Sequence, residues 1–346
     1  MKRKRGTGLT ISPHYERKDI PILRFFFVFS LVIFSVGAVH AQPVDPNWPD
    51  KPIRFIVPFP AGAVSDLVAR IVAAKLSEQL GQPVVIDNRP GGSGEVGAGA
   101  VAHAAPDGYT IGLATASTHA IAASLNPALP YDPVKDFTPI SMIGDTPYVL
   151  VVNSKLPVRN VADLIKLAKE KPRSLNYSTV GPASLAQFAG ALFSSMTGAE
   201  LTPIPYRTAT NAVIDLSEGR IEIQFGAIAA SLPFIRDGRL RALAVTSKTR
   251  VDVLPNVPTM SEAGLAGYEA VLWVALVMPS GTPPALVARM NKETRAVIAD
   301  PEVQKALLAR LVLLPRSSTP EELRERISSD IAKWHRIAAE AGIKPK

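Results

Sequence analysis

The sequence predicts an α/β protein with mainly parallel sheets, divided into two domains that a two-strand hinge joins. Three observations predict it. Short β-branched runs alternate with helical patterns along most of the chain, as βαβ units require. At 346 residues and 47% hydrophobic, the chain is long enough to bury a core in each of two domains. Two passages marked by Pro or Gly, Thr146-Pro147 and Gly264 to Tyr268, each lead into an apolar strand pattern, giving the chain a way out of one domain and back.

Taken in order, the chain opens with Lys2, Arg3, Lys4, Arg5, Arg17, Lys18 and Arg24, then an apolar run from Phe25 to Val39, then Val39-His40-Ala41. This reads as a secretory signal peptide over residues 1–41, cleaved near Ala41, because the apolar run falls short of the ~20 residues a spanning helix needs. Seven of the 38 basic and two of the 30 acidic residues lie in that segment, so the formal charge of +8 falls to +3 for the remainder. No nucleic-acid footprint is left. The absence of Cys excludes disulfides, thiolate metal sites, cysteine nucleophiles and a lipid on an N-terminal cysteine. The expected address is the periplasm.

Strands are predicted at Ile53 to Phe59, Val84 to Asp87, Thr110 to Ala114, Val149 to Asn153, Leu175 to Ser178, Ile221 to Phe225, Ala242 to Thr246 and Val271 to Met278. Between the first two, Val68, Val72, Leu76 and Leu80 recur at every fourth position, a core-facing helical stripe. The last helix opens on Thr319-Pro320-Glu321-Glu322, a capping box with Pro in the first turn. Leu323, Ile327, Ile331 and Trp334 then form one face to pack on a sheet, and the helix stops near Gly342. The domains are expected at 43–147 plus 268–346 and at 148–267.

The candidate site lies in loops between strand ends and helix starts, where free backbone N–H groups and the positive helix end favour an anion. The first loop offers Phe59, Ala61, Gly62, Ala63, Ser65 and Asp66. Asp66 would repel a bound carboxylate, so it either caps the helix by accepting from backbone N–H groups or meets the ligand through water or a ligand cation. Its counterpart in the second domain, Tyr177 to Ser184, offers Thr179, Gly181 and Ser184, while the strand end before His119 adds Thr115, Ser117 and Thr118. His119 reads as structural. Each loop alone is an ordinary turn or N-cap; one such loop per domain, facing a common cleft, reads as a grip on the two ends of a dicarboxylate.

Gly92-Ser93-Gly94-Glu95-Val96-Gly97 fits the dinucleotide motif G-x-G-x-x-G, which keeps an NAD-dependent enzyme as the alternative from another class. Against it, the motif follows the second strand, Glu95 would meet pyrophosphate, and no acidic residue ends the next strand. A glycine-rich turn is the preferred reading. There is no G-x-S-x-G, H-E-x-x-H or Walker sequence, and two of the five His residues, His14 and His40, lie in the removable segment. No catalytic set, metal site or cofactor is predicted.

Several runs resemble the substrate-binding subunits of tripartite tricarboxylate transport systems, the Bug family. They include Pro52-Ile53-Arg54, Pro58-Phe59-Pro60-Ala61-Gly62 with Asp66, Gly81-Gln82-Pro83-Val84-Val85 with Asn88-Arg89-Pro90-Gly91, and Pro106-Asp107-Gly108-Tyr109-Thr110. Leu129-Pro130-Tyr131-Asp132-Pro133, Leu240 to Thr246 and Pro255-Asn256-Val257-Pro258-Thr259 continue the likeness in order. The resemblance implies a monomeric, periplasmic-binding-protein-like receptor that closes on a small organic carboxylate, di- or tricarboxylate or aromatic, and delivers it to membrane permease subunits. A sensor subunit for a signalling receptor is the alternative partner role. The chain departs from the family pattern at Ala63, at Gly181-Pro182-Ala183-Ser184, at Gln187-Phe188, at Tyr206-Arg207-Thr208, and at Gly226, where many members carry Asp. Losing that Asp disfavours an amino-acid ligand, and Arg207, if it faces the cleft, can take a carboxylate bidentately.

Overall fold

The computed structural model describes residues 47–181 and 184–343; the predicted signal segment, its cleavage near Ala41, and the departures at Pro182 and Ala183 lie outside them. β1 (Ile53–Val57) leads through α1 (Val64–Leu80) to β2 (Val84–Asn88), and α2 (Glu95–Ala102) to β3 (Thr110–Thr115). A π-turn, Ser117–Ile121, runs into the short α3 (Ala122–Leu125) before β4 (Phe137–Asn153). There follow α4 (Val161–Glu170), β5 (Asn176–Thr179), α5 (Leu185–Thr197), β6 (Thr202–Pro205), α6 (Ala209–Glu218), β7 (Ile223–Ala227), α7 (Ile228–Arg236) and β8 (Leu240–Val245). The chain returns through β9 (Val271–Pro279), α8 (Pro284–Ala299), α9 (Pro301–Leu311), β10 (Leu314–Pro315) and α10 (Pro320–Glu340).

Local signals set these elements. Val68, Val72, Leu76 and Leu80 are buried along α1, which ends where Gly81 takes a left-handed φ of 69° and its N–H bonds the Ser77 carbonyl. The capping box at Thr319 and Glu322 forms with both of its bonds.

The strands form one curled sheet in the order β2-β1-β3-β9-β4-β7-β5-β6, with β8 and β10 also on β4. Parallel pairs, β1 with β2 and β3, and β5 with β6 and β7, build its two wings. Antiparallel pairs join them at the centre. β4 is the shared strand: Phe137 to Pro147 pair with β9, and Tyr148 to Asn153 lie between β7 and β8.

The sequence places only Val149 to Asn153 in this strand, whereas the strand runs for 17 residues. Pro139 and Pro147 argue against a central strand, and β4 accommodates its irregular part with two register shifts against β9, between Pro139 and Ser141 and between Met142 and Gly144. β6 was hidden by Pro203 and Pro205 for the same reason. It pairs only with β5, an edge where a missing N–H is tolerated.

Where the chain passes between the wings, a single hydroxyl joins the outgoing and returning strands. Thr246, fully buried, has its Oγ1 2.8 Å from the Tyr148 N–H it accepts from and 2.6 Å from the Ala270 carbonyl it donates to. Beside it, Arg326 of α10 bridges Glu269 (3.2 Å) and Asp330 (3.1 Å), and Asp330 accepts from the Trp273 indole at 2.7 Å. α10 itself packs on the π-turn and α3 of one wing and on α5 of the other. Leu323, Ile327 and Trp334 on it are buried, Ile331 partly so, and Trp334 meets Phe188 edge-on at 5.5 Å. Truncating a side chain such as Trp334 costs ~3–5 kcal/mol.

Candidate functional site

Register brings the strand ends of both wings to one level. β3 ends at Thr115, opposite Val274 of β9, and Val274 stands opposite Gly144 of β4. β7 ends at Ala227, opposite Tyr148 of the same β4. β1 runs parallel to β3 and β5 parallel to β7, so the loops after β1 and β3 leave one wing, and those after β5 and β7 the other, from strand ends directed towards the level of the Gly144 to Tyr148 stretch.

The first loop is held from beneath. Asp66, buried to 1% exposure, accepts from the Gly62 N–H at 2.8 Å, from Arg70 Nε at 2.9 Å and from Asn88 Nδ2 at 2.9 Å. Asn88 also donates to the Phe59 carbonyl at 3.0 Å. Burial acts to raise the carboxyl's pKa, but the bonds from Arg70, Gly62 and Asn88 together outweigh it and hold the group below its ordinary value. Asp66 is thus an anchor for the loop: its two oxygens are turned inward to loop and strand donors, and its bond to Gly62 lies one turn ahead of the helix. Gly62 takes a φ of 83°, the conformation that makes glycine fit here. Ala63, the N-cap of α1, gives that helix no side-chain cap. The first-turn amides at Val64 and Ser65 have no partner within the helix by geometry. Ala61 and Gly62 are exposed, and Phe59, Ala63 and Ser65 are half-buried.

At the end of β3, Thr115 and Thr118 are buried and bond chiefly to one another: Thr118 N donates to Thr115 Oγ1, and Thr115 N to Thr118 Oγ1. Thr118 Oγ1 also lies 2.9 Å from His119 Nδ1. These hydroxyls shape the π-turn, and Ser117, half-buried, is the one of the three open to solvent. His119 is sealed against Phe137 at 4.4 Å, and burial pushes its pKa down to about 3, so it stays neutral.

The second loop is built differently. Ser184 is the N-cap of α5: its Oγ donates to the Gly181 carbonyl at 2.7 Å and accepts from the Gln187 N–H at 3.4 Å. Gly181 takes a φ of 111°, and the Thr179 carbonyl accepts from Tyr206 N. Arg207 is exposed on the rim beyond β6, beside Tyr206, Asn211 and Asp215 in a cavity of about 370 Å³.

Sequence reasoning missed three contributors. Asn88 ends β2 opposite Val57, which puts its amide under the first loop. Arg70 supplies the countercharge one helical turn after Asp66. Gly94 ends the glycine-rich turn against Phe59 and Thr118; a Cβ there would come 2.5 Å from Thr118 Cγ2 and 3.2 Å from Phe59 Cζ. Gly97 similarly admits Pro58 and the Arg89 backbone, so packing accounts for glycines that also fit a dinucleotide motif. Among the described residues, no three His, Cys, Asp or Glu gather as a metal site, and no helix is long and apolar enough to cross a membrane.

The profile of the tripartite tricarboxylate transporter family receptors, TctC, matches residues 68–343. The chain belongs to this family. Among curated proteins it is 38% identical to protein BugT of Bordetella pertussis over 316 residues, 91% of this chain and 97% of that one. Among solved structures, R. palustris Rpa4515 with adipate is 37% identical with a TM-score of 0.74, covering 86% of this chain and all of that one. MatC (Rpa3494) from Rhodopseudomonas palustris with bound malate is 30% identical with a TM-score of 0.70, covering 84% of this chain and 99% of that one. A TctC solute-binding protein from Polaromonas is 26% identical with a TM-score of 0.76, covering 85% of this chain and 99% of that one, and the curled α/β architecture is shared with it.

Proposed function

We propose that the protein is a periplasmic receptor that captures a small organic carboxylate between its two wings, without chemical change, and passes it to membrane permease subunits of a tripartite tricarboxylate transporter. One observation carries the reading: α1 starts without a side-chain cap at the end of β1, on a glycine loop that a buried Asp66 holds in shape. Such a helix start offers directed N–H donors and a positive dipole end to an anion. The adipate and malate named for two relatives belong to the same ligand class.

In this reading residues 43–147 with 268–346 form one closing body and 148–267 the other, and β4 and the run into β9 are the hinge. Phe59, Ala61, Gly62, Ala63 and Ser65 contact one end of the ligand. Ser117, Thr179, Gly181, Ser184 and Arg207 border the rest, with Thr115 and Thr118 shaping the floor. Differential affinity for the closed form drives closure. Calorimetry against a carboxylate panel that includes adipate and malate tests the ligand class. Micromolar or tighter binding of a panel member is expected; failure of every carboxylate alongside tight binding of a sugar or a cation would overturn it.

A further inference from the structure

Three buried hydroxyl or amide oxygens in the second wing lack hydrogen-bond partners among the described residues, and two of them stand on adjacent strands. Ser178 of β5 and Gln224 of β7 are register partners on adjacent strands. They are exposed to only 2% and 4%, yet Ser178 Oγ and Gln224 Oε1 are unpartnered. Strand alternation turns both away from Tyr177, Ile223 and Phe225 and towards the layer of Val151, Val213, Leu216 and Ile228, which α6 and α7 cover. Ser231, which with Ile228 forms the buried face of α7, is fully buried there and its Oγ is unpartnered too.

Gly226 explains where the Gln224 carboxamide goes. A Cβ at Gly226 would come 2.8 Å from Gln224 Cδ and 2.9 Å from Oε1. The side chain therefore folds along β7 into the space the glycine leaves, towards the strand end where the second loop opens. Buried oxygens left unmatched destabilise a fold. Unmatched oxygens on two adjacent strands, one of them on a side chain turned towards its strand's end, are what a site that takes a ligand group would show.

We infer that Gln224 and Ser178, backed by Ser231, form an uncharged subsite that takes a hydroxyl group on the ligand, at the end away from the carboxylate held by the first loop. A hydroxyl can donate to Gln224 Oε1 and accept from Ser178 Oγ at once. An ammonium would find no countercharge in this set. A methylene would leave all three oxygens unmatched. The inference rests on the carboxylate-receptor reading and narrows it to hydroxy-carboxylates.

The test is calorimetry with matched pairs, malate against succinate and 4-hydroxybenzoate against benzoate, on the wild type, Gln224→Met and Ser178→Ala. The wild type is expected to favour the hydroxylated member of at least one pair by tenfold or more. Each variant should reduce that preference below threefold while leaving affinity for the other member within twofold. Melting temperatures of the ligand-free variants should equal or exceed that of the wild type, because each removes an unmatched oxygen. Equal affinity for both members in the wild type overturns the subsite alone. Retained preference in both variants does the same, as does a marked fall in melting temperature, which would mean the oxygens serve a structural water. Failure of all four acids while another carboxylate of the panel binds overturns the subsite alone; failure of every carboxylate overturns the carboxylate reading and the subsite with it.

Discussion

The loop after β1 and the loop after β5 hold equivalent places in the two wings, each joining a strand end to a helix start at the level of Gly144 to Tyr148. They differ in what satisfies that helix. In the second loop Ser184 caps α5 and closes back on Gly181. In the first, Ala63 provides no cap to α1, and the nearby carboxylate is turned away to hold Gly62. The contrast teaches that a helix start can be left open for a ligand when its loop takes rigidity from elsewhere, here from a charge network under the loop.

The strongest way to break the contrast is Asp66→Ala. It leaves the Gly62 and Asn88 donors without their acceptor while Arg70 stays in solvent, and a loss of ~1–3 kcal/mol in denaturant unfolding is expected, as for buried donors left unmatched, together with at least tenfold weaker carboxylate binding. Wild-type affinity in this variant would show that the loop does not depend on the network. The same carboxylate has a pH signature: its pKa is depressed in the fold, so its contribution is present above the ordinary value of 3.8 and is lost as pH falls through the folded pKa.

Next in size is the effect of His119, within the π-turn of the first wing. The unfolded chain takes up its proton near pH 6.5, the folded protein only near pH 3. Stability should therefore fall as pH is lowered through that window, by up to ~1.4 kcal/mol per pH unit. His119→Gln should flatten the unfolding free energy between pH 6.5 and 4.5; an unchanged slope would assign the dependence to other groups.

Smaller effects separate backbone from ligand contributions. A Cβ at Gly62 or Gly181 would touch no atom within 4 Å, so Gly62→Ala and Gly181→Ala should cost only the left-handed conformation, ~1–2 kcal/mol each by thermal melts. Ligand affinity should fall more for Gly62→Ala. Ser184→Ala should cost ~1 kcal/mol of stability as a lost N-cap, and weaken carboxylate binding less than Gly62→Ala does. A large affinity loss there would make the two loops alike.

Much of this was legible in the residues. Alternating runs located eight of the strands because each carries its own apolar pattern, and the Thr319 box located α10. β6 and the first part of β4 were not legible, because their prolines are excused only by an edge position and by register shifts that depend on partners far along the chain. The site divides the same way. Gly62 and Asp66 announced themselves by type and place. Asn88, Gly94 and the Ser178–Gln224 pairing act through neighbours on other strands, which spacing along one strand does not reveal.

α10 touches both wings, and this gives the protein a built-in optical reporter. Of its three tryptophans, Trp273 bonds to Asp330 of α10 beside the passage between wings, and Trp334 lies on α10 against Phe188 of the second wing. In the proposed closure Trp273 and Asp330 move as one body, whereas rotation of one wing against the other must tilt the Trp334 indole against the Phe188 ring. The emission of Trp334 should therefore change on ligand binding, so that capture can be followed in real time on the unlabelled protein.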